Sequence, residues 1–115
     1  MEKQEINLDK ITENICGLND AELAELKEKH GFLIVGTISQ GESQYHAIFK
    51  EPSFKTLEAT GSIAKNSEIK GTKALYDNCI VKADPEIEER DFLKLKSVEC
   101  VANHMNSFST SVKNL

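Results

Sequence analysis

The sequence predicts an α+β fold: an N-terminal helix, an antiparallel β-hairpin, then a group of three to four α-helices. Three observations carry this reading. LNDAEL at Leu18–Leu23 has the form of a helix start. FLIVGTI and YHAIFK are short β-branched or alternating runs separated by SQGES, which marks two strands joined by a turn. After Pro52 the apolar spacing changes from two residues to three and four, the period of a helix.

Each element follows from its local chemistry. In the first helix Asn19 is placed to cap and Glu22, three residues on, to close a capping box. Leu18 and Leu23 are positioned as a hydrophobic staple, Leu23 and Leu26 face inward, and Gly31 suits the residue just past the end. Glu25 and Lys29 are spaced as an i,i+4 pair on the outside. In the second strand Tyr45, Ala47 and Phe49 share one face, and His46, Ile48 and Lys50 the other. Gly41 is free to take positive φ in the turn.

Pro52 lacks a ladder donor and disfavours helix for Glu51, so Ser53 is the expected cap of a helix beginning at Phe54. Phe54, Leu57, Gly61 and Ala64 form its stripe, and Gly61 either costs about 1 kcal/mol of propensity or permits a close helix crossing. Ser67 is expected to cap a further helix over EIKGTKALYDNCIVKA, with Ile69, Tyr76, Cys79, Ile80 and Ala83 as a stripe. Asp84 as cap and Pro85 at the first helical position restart the chain, with Ile87 inward and an end near Leu93 to Lys96. SVECVANHMNSFSTSV gives a last helix, with Val98, Val101, Ala102, Met105 and Phe108 on one side. Domain organisation is expected to be simple: a flexible or partner-ordered arm over 1–17, one domain over 18–110, and a frayed end over 111–115.

Composition narrows the function classes. The chain has 115 residues, 39% of them apolar, enough for one modest core. No apolar run approaches the roughly 20 residues of a membrane span, and the charged start MEKQEINLDK lacks the apolar core of a signal peptide. A soluble cytoplasmic protein is the expectation. The formal charge is −5, with 19 acidic against 14 basic residues and no dense basic cluster, which disfavours nucleic acid as the main partner. Cys16, Cys79 and Cys100 are odd in number with no CxxC spacing, so reduced and mostly buried thiols are expected.

The search for chemistry yields little. KGTK at 70–73 lacks the glycine spacing of a phosphate loop, and GTIS lacks that of a nucleophile elbow. Cys100 and His104 at i,i+4 share a helix face suited to two metal ligands or a thiolate–imidazole pair. Structural zinc takes four ligands, however, and His30 and His46 are far off in sequence; a nucleophile would also need an orienting third group. A core cysteine beside a half-exposed histidine is the simpler reading. The acidic run EIEER suits a helix N-terminus. No catalytic, cofactor or metal residue is assigned, and an interaction protein outranks an enzyme.

The order of parts resembles the small tail assembly chaperones of long-tailed, siphovirus-type bacteriophages and prophages. The likeness runs over the helix ending in LKEKHG, the hairpin FLIVGTI and YHAIFK, the sequence Phe49-Lys50-Glu51-Pro52, the helix through KALYDNCIV, the acidic D-P-E segment and a terminal helix. It spans roughly Leu18 to Phe108. Ser53-Phe54 with a single lysine departs from the more basic continuation of such proteins. The resemblance implies a non-enzymatic function: binding the tape measure protein during tail assembly, keeping its helices soluble and helping to recruit tail tube subunits, with possible self-association. Candidate partner contacts are Tyr45, Phe49, Met105 and Phe108. The alternative reading is a small cytoplasmic adaptor or regulatory interaction module.

Overall fold

The computed structural model describes residues 15–115. It is an α+β fold with a three-stranded antiparallel sheet in the order β1-β2-β3. A 3-10 turn, Ile15–Gly17, leads into α1 (Asp20–His30). The hairpin of β1 (Leu33–Gln40) and β2 (Ser43–Lys50) follows, then α2 (Phe54–Ala64), α3 (Glu68–Cys79), β3 (Ile80–Ala83), α4 (Pro85–Glu89) and α5 (Asp91–Asn106). No helix among the described residues is long and apolar enough to cross a membrane.

The local signals work as their chemistry requires. The Asn19 carboxamide accepts from the Glu22 N–H at 2.8 Å, and the Glu22 carboxylate accepts from the Asn19 N–H at 3.0 Å. Gly41 turns the hairpin at φ 58. The Ser53 and Ser67 hydroxyls cap α2 and α3, accepting from the N–H groups of Thr56 and Lys70 at 3.2 Å each. Glu25 and Lys29 form no ion pair; among the described residues Lys73–Asp77 and Lys96–Glu99 do, all on the surface.

β2 is the central strand, and both of its faces are covered. Ala47 and Phe49 turn into the main core with Ile34, Tyr76, Cys79, Ile87 and Val101. Ile48 turns the other way, into a second cluster with Ile15 and Cys16, flanked by Leu23, Leu26 and Val81. The expected N-terminal arm is therefore built into the fold at residues 15–17. Residues 1–14, the greater part of the expected arm, lie outside the described residues. Cys16 takes a left-handed conformation, φ 53, and its thiol donates to the His46 carbonyl at 3.3 Å, with the Lys82 carbonyl at 3.8 Å.

Three expectations are corrected. The helix read through Ala83 ends at Cys79, and Ile80–Ala83 pairs with β2 instead. Cys79, Ile80 and Ala83 fit a helical stripe by spacing, but the open edge of β2 captures the β-branched pair Ile80-Val81. Asp84 occupies the cap position of α4 without capping: its carboxylate accepts from the His46 N–H at 2.7 Å, while the Asp84 N–H donates to the His46 carbonyl at 2.9 Å. The side chain thus prolongs the sheet ladder. Finally, the chain breaks at Arg90, which is extended at φ −125 and ψ 111, so the last helix starts at Asp91 rather than Ser97. The break lets Ile87 enter the core while α5 reorients to lay Leu93, Ser97, Val98 and Val101 inward.

Two glycines set the helix layer. A Cβ on Gly36 of β1 would fall 2.5 Å from the Cys100 Sγ and 2.7 Å from its Cβ, so α5 sits directly on β1. A Cβ on Gly71 of α3 would fall 2.7 Å from the Ala64 Cβ, which makes this the close crossing of α2 and α3. Of the two alternatives for Gly61 the helix is continuous and there is no close crossing, since a Cβ at Gly61 meets open space.

Burial also marks the ionisable core. Removal from water pushes the Cys16 thiol from 9.0 up to about 12, helped by the Asp84 carboxylate. It pushes the Tyr76 phenol from 10.0 up to about 12, helped by Glu88 and Asp77. The Cys79 thiol is raised by burial as well. The Tyr76 hydroxyl is buried with no hydrogen-bond partner among the described residues, while its ring packs edge-on to Phe49 at 5.8 Å.

Urea unfolding of three variants tests this packing. Gly61→Ala is expected to stabilise by up to about 1 kcal/mol through helix propensity. Gly36→Ala and Gly71→Ala are each expected to destabilise by about 1–3 kcal/mol through overpacking. Cys16 and Tyr76 bind protons more tightly folded than unfolded, so their contribution is complete below the unfolded values and is lost as pH rises toward about 12. Urea midpoints measured between about pH 8 and 11 should fall with rising pH. In Tyr76→Phe the fall should be shallower, with stability near neutral pH unchanged or raised, because an unpartnered hydroxyl is removed.

Candidate functional site

α2 leans on α3 and forms no comparable interface with the sheet or with α5. It is the consequence of a chain that leaves β2 at Pro52 and returns through the Gly71–Ala64 crossing alone. Its apolar residues are correspondingly open: Phe54 is 92% exposed, and Leu57 and Ile63 are exposed too. The stripe expected to face a core faces mostly solvent.

Between these helices runs an apolar trough. A groove of about 800 Å3 lies between α3 and α5, with Ile69, Leu75, Leu95, Val98 and Ala102 along it and Glu68 and Glu99 at its polar margin. A second depression, about 330 Å3, lies between α2 and α3 and is lined by Leu57, Gly61 and Ala64. The two share Glu68, Thr72 and Leu75, so the surface is continuous across α3. The larger groove is an open surface channel rather than an enclosed cavity. Ile69 stands at its lip, 67% exposed.

The four residues expected to contact a partner occupy different places. Phe49 has no accessible surface and is a core residue, so its expected role as a contact is corrected. Tyr45 is half-buried on the same sheet face, packed at the edge of that core. Met105 is at the surface of α5, and helical spacing puts it on the face of Val98 and Ala102. Phe108 follows α5, is 67% exposed, and packs edge-on to His104 at 5.2 Å. Tyr45 pairs with Ile38 near the turn, whereas His104 bonds Glu51 just past the other end of β2, on the order of 20 Å along the strand. Met105 thus shares a helix face with two residues of the groove, and Tyr45 and Phe49 stand apart from it.

Cys100 and His104 do share the sheet-facing side of α5, but they do not act on each other. Cys100 is wedged over Gly36, and burial raises its thiol above the ordinary range, against the pull of a Thr37 backbone hydrogen bond. The His104 Nε2 is 2.6 Å from the Glu51 Oε2, tying the end of α5 to the end of β2. Among the described residues no group of three or more His, Cys, Asp or Glu is arranged to hold a metal ion.

Sequence reasoning missed the trough because Leu57, Ile69 and Val98 fall on apolar helical stripes like those of core positions, and Leu95 is given no role. One signal was available: Gly71, a small residue on the inner face of a helix, marks where two helices approach and diverge again.

Comparison with known proteins adds the fold. No family model matches the chain, and no curated protein matches it. A solved structure, that of the uncharacterised protein rbstp2171 from Bacillus stearothermophilus, is similar with a TM-score of 0.58 at 18% identity, over 80% of this chain and 99% of that one. At that identity the likeness is one of architecture: almost the whole of that chain is built on this arrangement of helices and sheet.

Proposed function

We propose that this protein is a non-enzymatic assembly chaperone of the phage tail type, which holds an amphipathic helix of a tape measure protein while the tail is built. The observation that carries the proposal is the continuous apolar trough over α2, α3 and α5. Its apolar walls suit the apolar stripe of a helix, and Glu68 in its lining favours a client with a basic residue beside that stripe. Met105 shares the helix face of Val98 and Ala102 and adapts to varied apolar surfaces. The element order and the Phe49-Lys50-Glu51-Pro52 junction supply the choice of client class. A general adaptor would use the same trough on another helix, and the partner encoded beside the gene separates the two readings.

Co-expression with helical segments of a tape measure protein from the same gene cluster tests the proposal. The wild-type chain should keep such segments soluble and co-purify with them. Ala102→Glu and Thr72→Glu, which place charge in the trough, should each weaken binding at least tenfold, about 1.4 kcal/mol. Absence of a tape measure gene from the neighbourhood, or binding indifferent to both substitutions, would sink it.

A further inference from the structure

The two edges of the sheet are unlike. β3 is four residues long, carries the exposed Lys82, and pairs with β2 through a register shift at Ile48/Phe49. Shortness, an edge lysine and irregular pairing are the ordinary protections against a further strand. β1 has none of them. It is eight residues long, LIVGTISQ, with no charge and no proline, and it pairs with β2 in unbroken register. Among the described residues no element hydrogen-bonds to its outer side.

A strand of matching character lies in the same chain, unpaired. Residues 108–115 form no regular structure. Phe108, Thr110 and Val112 alternate with Ser109, Ser111 and Lys113, the two-residue period of a strand with one apolar, β-branched face. The apolar side of this segment is in solvent: Val112 is 92% exposed.

We infer that residues 108–113 of one copy add as a strand to the open edge of β1 in a second copy. Two competing geometries are disfavoured by distance. Pairing β1 with β1 would place two α5 helices, each seated on its own Gly36, about 4.8 Å apart, inside the 8–10 Å of packed helices. A strand drawn from residues 108–113 leaves its own α5, which ends at Asn106, past the end of the neighbour's β1 rather than alongside the neighbour's α5. Docking onto the same chain's own β1 requires the segment to cross from the helix layer to the sheet, on the order of 10 Å or three residues. Phe108 to Thr110 would be consumed in that crossing and the alternation lost. A neighbour's edge takes the whole of it. The uncharged edge and a donor with one lysine present no like-charge pairing. This contact is separate from the α2–α3–α5 trough, so it stands or falls independently of the client proposed above.

Sedimentation equilibrium of the full chain tests the inference. The wild type should rise with concentration from 12.8 kDa to at least twice that mass. Ser111→Pro/Val112→Pro removes an N–H on each side of the donor strand and should remain at the monomer mass, with an unchanged circular dichroism spectrum. Adding a synthetic peptide of residues 107–115 to that isotope-labelled variant should shift the amide resonances of Leu33–Gln40. A wild type that stays monomeric, a proline variant that associates equally well, or a peptide that moves the trough residues instead of β1, each overturns it.

Discussion

The burial of β2 on both faces is the constraint on which the rest of the structure depends. Ala47, Ile48 and Phe49 are consecutive, so alternating side chains point to opposite sides of the sheet, and all three are inaccessible to water. An antiparallel sheet with one wet face would leave Ile48 exposed. Two layers are therefore required. The helices after Pro52 form one; the 3-10 turn at Ile15–Gly17 and α1 form the other. A two-stranded ribbon would be marginal alone, and the third strand, Ile80–Ala83, completes the flank of β2.

Close approach then decides how the upper layer sits. Without a side chain at Gly36, Cys100 drops onto β1 and brings α5 with it. Its end is tied by His104 to Glu51, where the chain has just left β2. The titratable pair that sequence spacing suggests is thereby divided between two structural tasks, a wedge and a tie. Asp84 shows the same economy of position, for a carboxylate at a helix start is used on the backbone of His46 instead.

The exposed apolar surface follows from the same packing. Once α5 lies on β1 and α3 packs beside it, α2 has no place on the sheet and rests on α3 through the Gly71–Ala64 crossing. What remains between these helices is a trough rather than a filled core, and its apolar walls stay at the surface.

The sequence by itself determined the α+β class, the capped starts of α1, α2 and α3, the turn at Gly41 and the facing of residues along β2. Each of these is decided within a few residues, by a side chain reaching its own backbone or by the alternation of a strand. It did not determine the strand at Ile80–Ala83, because a four-residue stretch with apolar groups at compatible spacing fits either period until a sheet edge competes for it. Nor did it separate Leu57, Ile69 and Leu95 on the trough from Phe49 and Val101 in the core. All are apolar residues on periodic faces, and only the tertiary arrangement decides which faces find a partner. The break at Arg90 has no proline or glycine to announce it; it exists because Ile87 and the α5 face must reach the core in different directions.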